Sequence, residues 1–494
     1  MTSASPSFRH GVASGDPTPD GVVLWTRCTP GPGAGDPLPV AWRVATDPDF
    51  TRVVAGGTAP AVAAADFTVH VEVPGLFPAT TYWYGFEAGG VRSPTGRTRT
   101  APAGPLERLR VGVVCCAHWT AGFFNAYRCL AARDVDVVVH LGDYLYEENR
   151  SRTQGVRLHN PPGRLRTLAE YRARHAQYKT DPDLRALHAA HPVAAVWDDH
   201  ELGSNAWHSG SPRHDPEVDG PFEERRAAAV RAYREWMPLR PSADPLRLWR
   251  RLRFGDLCDL VLCDTRLFGR DRPAALRLPV VGIRRRDRAL LGEEQWRWLE
   301  SELAAEEAPR WRVLASQVVV APIHLLGVPP ARRRLAARLG MSGGGLVVNP
   351  GQWDGYPDER DRLLGLLGRR PGETVVVSGD LHSSWASQLC APDGPAVAAE
   401  FTAPSVSAPD FAHKVAPPVP FGRRLLERVI ASQNPHVRWV DTRRHGYVVL
   451  DVDPDRIEVR WWHVRDVRTR HGHERLGARF TLTHGDPTLG PSSC

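Results

Sequence analysis

The chain has 494 residues, 42% of them hydrophobic and 24% charged, which is typical of globular proteins and excludes a disordered or fibrous chain. Lysine and arginine number 63 against 56 acidic residues, a net charge of +7 that is too small at this length to indicate a nucleic-acid-binding protein. No run approaches the roughly 18 apolar residues of a membrane-spanning helix, so no integral membrane segment is predicted.

The cysteines and the N-terminal residues bear on localisation. Eight cysteines occur without a CxxC pair, so neither a disulfide framework nor a structural zinc site is predicted. The segment Met1–Phe8 has neither the basic nor the apolar region of a signal peptide. We therefore expect a cytoplasmic protein, or a secreted protein whose leader has been removed.

Residues 1–102 are predicted to form an all-β domain. Short β-branched or alternating runs are separated by Gly, Pro and Asp turns. These runs are Gly21–Thr26, Val40–Val44 and Phe67–Val73. The segment Leu76–Tyr84 is similar to the corner of fibronectin type III-like sandwiches, in which a tyrosine fixes the turn. We therefore predict an N-terminal β-sandwich, which Ala101–Pro105 would link to the rest of the chain.

From residue 108 the pattern changes to alternating strands and helices, which predicts an α/β domain over 108–470. Its apolar strand segments are Leu109–Cys116, Val135–Leu141, Ala194–Trp197, Leu257–Leu262 and Thr374–Val377. Each runs into polar residues at its carboxyl end, the edge where open α/β sheets bind ligands. Gly446–Asp451 and Arg456–Trp461 are predicted as two final strands, and residues 471–494 as a C-terminal tail.

Asp143 follows the second of these α/β strands directly after Gly142. A carboxylate released from a buried strand by a glycine turn is well placed to bridge two cations, and Tyr146, three residues on, can turn its phenol oxygen toward the same site. Because Gly-Asp after a strand is also a common turn, a purely structural interpretation stays open.

The segment Trp197–Asn205 carries two adjacent acids, His200 and an asparagine. Asp199, His200 and Asn205 offer only oxygen and imidazole donors, which suit hard or borderline metal ions. The alternative interpretation is a helix start with Asp199 as its N-cap and Glu201 in its first turn. Both interpretations remain open for this segment taken alone.

Asp380 and His382 follow a further strand. In an extended segment, residues two apart face the same side, so both side chains can address one site. A structurally satisfied Asp–His pair is the alternative.

Cys116 ends the first α/β strand, at the same sheet edge as these acids. A thiolate beside cations has a lowered pKa and is a metal ligand by type, whereas a buried free cysteine is usually a small hydrophobic residue. Strand alternation directs Cys115 and Cys116 to opposite faces, so only one of them can point to the site. Polar residues at four strand ends together predict a dinuclear metal centre. The sequence contains no nucleophile elbow, Walker loop or dinucleotide fingerprint.

Ten motifs along nearly the whole chain closely resemble the alkaline phosphatase D (PhoD-like) family of metallophosphatases. They are Gly11–Pro17, Val23–Arg27, Gly122–Tyr127, His140–Tyr146, Trp197–Glu201, Asp264–Arg266, Trp353–Pro357, Gly379–Trp385, Glu400–Ser405 and Asn434–His436. The resemblance implies that the N-terminal β-sandwich is followed by a calcineurin-like α/β sandwich domain, and that the protein is a phosphoester hydrolase with an iron(III)–calcium site.

The resemblance also implies a set of ligands. Iron would be bound by Cys116, Asp143, Tyr146 and His382, and calcium by Asp143, Asp199, Asn205 and Asp380. The family's spacing from the cysteine to the Gly-aromatic-Phe motif at Gly122 favours Cys116 over Cys115. The segment Leu202–Asn205 departs from the family pattern, which is usually richer in acid and Asn. The twin-arginine leader of secreted members is missing as well.

The implied mechanism is in-line attack by a metal-activated hydroxide, without a covalent phosphoenzyme. His200 and Arg266 are the candidates to assist the leaving group, beside the metal-binding Asp143, Asp199 and Asn205. We expect a monomer that acts on small phosphoesters as a phosphomonoesterase or phosphodiesterase. The alternatives are a phospholipase D-like phosphodiesterase and, in a different class, a non-catalytic binding protein whose sandwich is the active module.

Overall fold

The computed structural model describes residues 5–31, 33, 35–148, 155–274, 288–305, 307–325, 346–347, 349–392, 394–411 and 422–490. Two large β-sheets, a smaller N-terminal sheet and a two-stranded ribbon, β15 (His324–Leu325) with β16 (Leu346–Val347), organise these residues. None of the helices within the described segments has the length and hydrophobicity needed to cross a membrane.

The first large sheet has nine strands. In order across the sheet they are β23 (Glu474–Thr483), β22 (Arg456–Val464), β21 (Gly446–Val452), β9 (Leu109–Val114), β10 (Val137–His140), β11 (Pro192–Ala195), β1 (Val12–Thr18), β2 (Gly21–Arg27) and β5 (Thr68–Val73). The predicted final pair of strands is present as β21 and β22. The segment predicted as a C-terminal tail supplies the edge strand β23, which pairs antiparallel with β22.

Three strands of the N-terminal region belong to this same sheet. Strand β1 pairs in parallel with β11, with Ser14 opposite Pro192 and Gly15 opposite Val193. The other N-terminal strands form a separate sheet: β4 (Val53–Ala61), β3 (Leu38–Ala45), β6 (Thr81–Ala88), β7 (Val91–Arg92) and β8 (Gly96–Arg99). Apolar residues of both layers share one buried cluster. The N-terminal region is therefore a β-sheet domain, as expected, but one of its layers continues into the sheet of the α/β region.

The tyrosine expected to fix a turn in the N-terminal region does so. The Tyr82 hydroxyl accepts a hydrogen bond from the backbone N–H of Phe77 at 2.9 Å. The Tyr82 side chain is buried, so the strand that carries it is fixed to the preceding corner.

The second large sheet has seven strands and packs against the first. In order they are β12 (Arg250–Phe254), β13 (Cys258–Leu262), β14 (Trp311–Ala315), β17 (Thr374–Ser378), β19 (Ala396–Thr402), β18 (Ser384–Cys390) and β20 (Val437–Asp441). Buried residues of both sheets, among them Val111, Val139, Leu260 and Val375, form one core between them. Strands β13, β14, β17 and β19 are parallel, so their carboxyl ends meet at one edge.

Helices cover the outer faces of the two sheets. Their bounds are α1 (Asn125–Ala131), α2 (Leu168–Tyr178), α3 (Pro182–Ala190), α4 (Pro216–Asp219), α5 (Phe222–Trp236), α6 (Glu293–Ala304), α7 (Pro357–Leu367) and α8 (Gly422–Gln433). Local sequence explains where some of them begin. Thr167 and Glu170 form a capping box at α2, and Asp181 caps α3 ahead of Pro182 in its first turn.

Candidate metal centre

Side chains from four strand ends converge at one edge of the packed sheets. Possible ligand atoms lie within 4.8 Å of one another in three groups. The groups are Cys116 with Asp143 and His382, Asp143 with Asp199 and His200, and Asp198 with Asp199 and Asp380. Because Asp143 belongs to the first two groups and Asp199 to the last two, the groups form one continuous row. Such a row has room for more than one cation.

Tyr146 completes the first group. Its hydroxyl donates to Asp143 Oδ2 at 2.8 Å and lies 3.1 Å from His382 Nε2. His382 Nδ1 lies 2.8 Å from the carbonyl oxygen of Pro409, which can only accept a hydrogen bond. Nδ1 therefore carries a proton, and in the neutral ring Nε2 keeps the lone pair that a metal ion binds, as in metal-binding histidines held by a carbonyl.

The two neighbouring cysteines differ in what their sulfur atoms contact. Cys116 is buried and contributes its thiol to the group with Asp143 and His382. The Cys115 sulfur instead lies 3.8 Å from the carbonyl oxygen of Ala403 and 3.7 Å from that of Pro404. The geometry thus brings Cys116, and not Cys115, into the row of ligand atoms.

Several acidic groups of the centre are buried in a way that disfavours their charged forms. Burial raises the pKa of the Cys116 thiol, the Tyr146 phenol and the Asp198 carboxyl well above their usual values, and Asp143 raises each of them further. Burying several anions next to one another is unfavourable unless cations balance them. The donor set therefore fits bound cations, which would stabilise the thiolate and the phenolate directly.

Asp199 and Asn205 lie next to one another. The backbone N–H of Asn205 donates to Asp199 Oδ2. The Asn205 side chain is exposed, whereas Asp199 is buried. Asn205 therefore sits at the solvent side of the centre.

Arg266 lies among the acidic residues of the centre. Its guanidinium is fully buried, donates to both oxygens of Asp198, and donates to Asp380 Oδ1 at 2.9 Å. Burial lowers the pKa of Arg266, but Asp198, Asp199 and Asp380 raise it well above the usual value. These contacts hold the guanidinium against the acids of the centre, while its Nη1 atom, also buried, has no hydrogen-bond partner among the described residues. The contact with a leaving group therefore stays a prediction.

His200, the other leaving-group candidate, faces the centre. Its Nδ1 lies 2.6 Å from Glu147 Oε2, and its backbone N–H donates to Asp143 Oδ1 at 3.2 Å. Burial lowers the pKa of His200, but Glu147, Asp199 and Asp143 together raise it to about 10. The ring also packs 4.2 Å from the Tyr146 ring, measured between centroids.

Backbone strain is concentrated at these residues. Five of them adopt a left-handed conformation: Cys116 (φ 59°), Asp143 (φ 51°), Asn205 (φ 52°), Asp380 (φ 58°) and His382 (φ 55°). Such conformations cost about 1–3 kcal/mol each and cluster at functional sites, where the surrounding structure maintains them. The strain therefore points to the same set of residues as the donor chemistry.

Sequence reasoning missed three residues that hold this arrangement. Glu147 orients His200, Glu201 accepts hydrogen bonds from the backbone around Asp143 and Asp198, and Gln352 donates to Asp380 Oδ2. Glu201 belongs to the Trp197–Glu201 motif, Glu147 directly follows the His140–Tyr146 motif, and Gln352 directly precedes the Trp353–Pro357 motif. Their positions in or beside the motifs are a sign in the sequence that they belong to the site, but these positions do not indicate which atoms they contact.

The strand ends of this α/β sandwich bring together a row of buried carboxylates, a thiol, a phenol and an imidazole. This arrangement defines a metal-dependent hydrolase. The PhoD-like phosphatase model matches residues 111–461, and the model of the PhoD-like N-terminal domain matches residues 1–102. The chain belongs to the PhoD-like phosphatase family, and it is a phosphoester hydrolase.

Two relatives agree with this assignment over most of the chain. Alkaline phosphatase D of Bacillus subtilis is 36% identical over 470 residues, which cover 90% of this chain and 76% of that protein. A solved structure described as "Structure of PhoD" is similar with a TM-score of 0.85 and 32% sequence identity. That similarity covers 99% of this chain and 93% of the other.

Proposed function

We propose that this phosphatase uses iron(III) and calcium as its cations, and that water cleaves the phosphoester without a covalent phosphoenzyme. The single observation that supports two adjacent cation sites is the position of Asp143, which shares one group with Cys116 and His382 and another with Asp199 and His200. When bound, the cations would supply Lewis-acid chemistry: they acidify water and neutralise phosphoryl charge.

The chemistry of the donors supports this pair of ions. Cys116, Tyr146 and His382 offer sulfur, phenol oxygen and nitrogen beside the Asp143 carboxylate, a set that suits a transition metal such as iron. Asp199, Asn205 and Asp380 offer only oxygen atoms, which calcium prefers. We therefore assign the first set with Asp143 to iron, and the second set with Asp143 to calcium.

Three residues around the cation sites have separate proposed roles. His200, whose orientation is fixed by the 2.6 Å contact of Nδ1 with Glu147, is proposed to donate a hydrogen bond to the leaving-group oxygen. Asn205 lies on the exposed side of the centre, where a small substrate would enter. Arg266 is proposed to keep Asp198 and Asp380 in place.

We also propose a calcineurin-like type for the α/β region, since its ligands follow the ends of strands in two packed sheets. The N-terminal sheets are proposed to be fibronectin III-like. With β1 bonded to β11, residues 1–102 are proposed to support the catalytic domain over 108–470 as well as to form a domain of their own.

A metal-depletion experiment tests the proposal. The purified protein is analysed for metal content by mass spectrometry, and its hydrolysis of p-nitrophenyl phosphate and bis-p-nitrophenyl phosphate is followed before and after dialysis against a chelator. We expect hydrolysis to disappear with the metals and to return when iron and calcium are added together. Asp143→Asn should not be rescued by the same additions. Full hydrolysis by exhaustively metal-depleted protein would refute the proposal, and rescue by zinc alone would refute the choice of ions.

A further inference from the structure

We infer that Glu201 is a positioning residue that joins the two ligand-bearing turns of the metal centre and thereby sets the separation of Asp143 and Asp199. Its carboxylate accepts hydrogen bonds from three backbone N–H groups. Oε2 accepts from Asp143 at 3.0 Å and from Asp198 at 2.9 Å, and Oε1 accepts from Tyr144 at 2.6 Å. The inference rests on the proposed metal centre and concerns how that centre is built.

These three N–H groups come from two different turns. Asp143 and Tyr144 follow β10, whereas Asp198 follows the neighbouring strand β11. A single oxygen, Glu201 Oε2, accepts from both turns, so the two backbone segments cannot separate without breaking one of these bonds. The side chain thus acts as a direct link between the strand end that carries Asp143 and the one that carries Asp198 and Asp199.

The backbone of the two turns is also in close contact. Gly142 has a φ of 94°, and a Cβ atom at this position would lie 2.2 Å from the Asp198 nitrogen. Only glycine therefore permits this approach. The hydrogen bonds that Glu201 accepts hold the same two turns close together. They also support the left-handed conformation of Asp143, whose φ is 51°.

Glu201 has the features of a positioning residue and not of a ligand. Its side chain is buried, with 2% of its surface exposed, and both oxygens are engaged by backbone N–H groups. Within the described part of the chain, Glu201 belongs to none of the three groups of possible ligand atoms. A buried carboxylate is the natural partner here because its two oxygens accept several hydrogen bonds and donate none.

Glu201→Gln tests the inference with almost no change in volume. The amide nitrogen cannot accept a hydrogen bond, so at least one of the three N–H groups loses its acceptor. Glu359→Gln is the matched control, because Glu359 Oε2 also accepts from two backbone N–H groups, those of Leu290 at 2.6 Å and Leu291 at 3.2 Å. Glu359 lies on α7 and belongs to none of the three groups of possible ligand atoms found among the described residues.

Two quantities are measured for each protein: the rate of metal loss from the holoenzyme during dialysis against EDTA, by mass spectrometry, and the thermal midpoint of the metal-depleted protein. Outer-shell partners of metal ligands typically change metal affinity or activity by about 10–100-fold. We expect Glu201→Gln to lose metal at least about 10-fold faster than wild type, and Glu359→Gln to lose it at the wild-type rate.

Retention of metal by Glu201→Gln at the wild-type rate would overturn the inference. The inference would also be overturned if Glu359→Gln lost metal as fast as Glu201→Gln and its thermal midpoint fell by the same amount. Metal loss would then follow from lower stability in general. If Glu201→Gln does not fold, Glu201→Asp is used in its place. The aspartate side chain is one methylene shorter, so its carboxylate cannot reach both turns. We expect the same increase in the rate of metal loss. Wild-type protein that holds its metals but cleaves no phosphoester would refute the proposed function alone. Wild-type protein that holds no metal would refute both.

Discussion

The Tyr146 hydroxyl donates a 2.8 Å hydrogen bond to Asp143, three residues before it in the chain. The Tyr146 ring packs against two histidines, with centroid distances of 4.2 Å to His118 and 4.2 Å to His200. Packing therefore fixes the ring independently of the hydroxyl, and the hydroxyl is left to serve the metal centre. This separation makes the role of the phenol oxygen testable without disturbing the fold.

Tyr146→Phe should weaken or abolish the visible absorption of the iron-loaded protein while leaving the fold intact. A phenolate bound to iron(III) absorbs in the visible through charge transfer, and phenylalanine keeps the contacts with the two flanking histidines. The checks are a visible spectrum, a metal analysis and a thermal midpoint on the same sample. An iron-loaded variant with an unchanged visible band would remove Tyr146 from the ligand set.

Cys116→Ser should reduce activity and metal content severely, and Cys115→Ser should be mild by comparison. The Cys116 thiol shares a ligand group with Asp143 and His382, whereas the Cys115 sulfur lies near two carbonyl oxygens, at 3.8 and 3.7 Å. Since the two residues are neighbours and both buried, each variant controls for the other. Metal content and p-nitrophenyl phosphate hydrolysis are compared at equal protein concentration. The opposite order of severity would contradict the assignment of Cys116.

Arg266→Met should destabilise the metal-free protein far more than the metal-loaded protein. Removing one partner of a buried charge pair typically costs about 3–5 kcal/mol, and here Asp198 and Asp380 both lose their guanidinium. Bound cations would neutralise the same acids and recover part of the loss. The free energy of unfolding is measured by urea titration with and without metal.

The matched control for this experiment is Arg360→Met, which breaks the buried pair with Asp354 away from the ligand groups. Its loss of stability should be the same with and without metal. Equal metal dependence in the two variants would show that Arg266 has no special relation to the acids of the centre.

Acidification should destabilise the metal-free protein in part through His140. Burial, and secondarily Lys179, lowers the pKa of His140 from 6.5 to about 3, so the folded protein keeps this ring neutral where the unfolded chain protonates it. The contribution to stability is therefore complete above pH 6.5 and is lost as the pH falls from about 6.5 to about 3. Over that range, one such group lowers the free energy of unfolding by about 1.4 kcal/mol per pH unit.

His140→Gln provides the measurement, since glutamine does not titrate and can still accept from the Gly142 N–H that His140 Nδ1 accepts at 3.2 Å. Urea titrations of both metal-free proteins between pH 7 and pH 4 should give a shallower pH dependence for the variant. Parallel curves would mean that His140 binds no extra proton on unfolding.

The part of the site carried by strand ends was predictable from sequence. Asp143, Asp199 and Asp380 each follow an apolar strand, and the ends of parallel strands meet at one edge. The contacts of Glu201 and Arg266 were not predictable. Glu201 contacts backbone N–H groups that carry no signal in the sequence, and Arg266 contacts Asp198 and Asp380, far away in the chain.

The fold, like the site, was predictable from the sequence only in part. The N-terminal strands could be recognised from their alternating residues and turns, and Tyr82 fixes its corner as expected. That β1 pairs with β11 depends on a contact between distant segments, and the sequence of β1, Val-Ala-Ser-Gly-Asp-Pro-Thr, lacks the apolar or alternating pattern that predicts a strand. Strand β23 was missed because its residues are largely polar or exposed, with only alternate positions buried.

The strand order of the nine-stranded sheet also bears on how the protein is made. During translation, β1 leaves the ribosome long before β11, with which it pairs, and β23, which forms the edge on the other side of the sheet, is made after all of the other strands. Pairing between distant segments is slow, and open strand edges invite aggregation in the meantime. The nascent chain therefore carries an unfinished sheet until β23 has been made, so its yield in a cell should depend on chaperones that shield those edges.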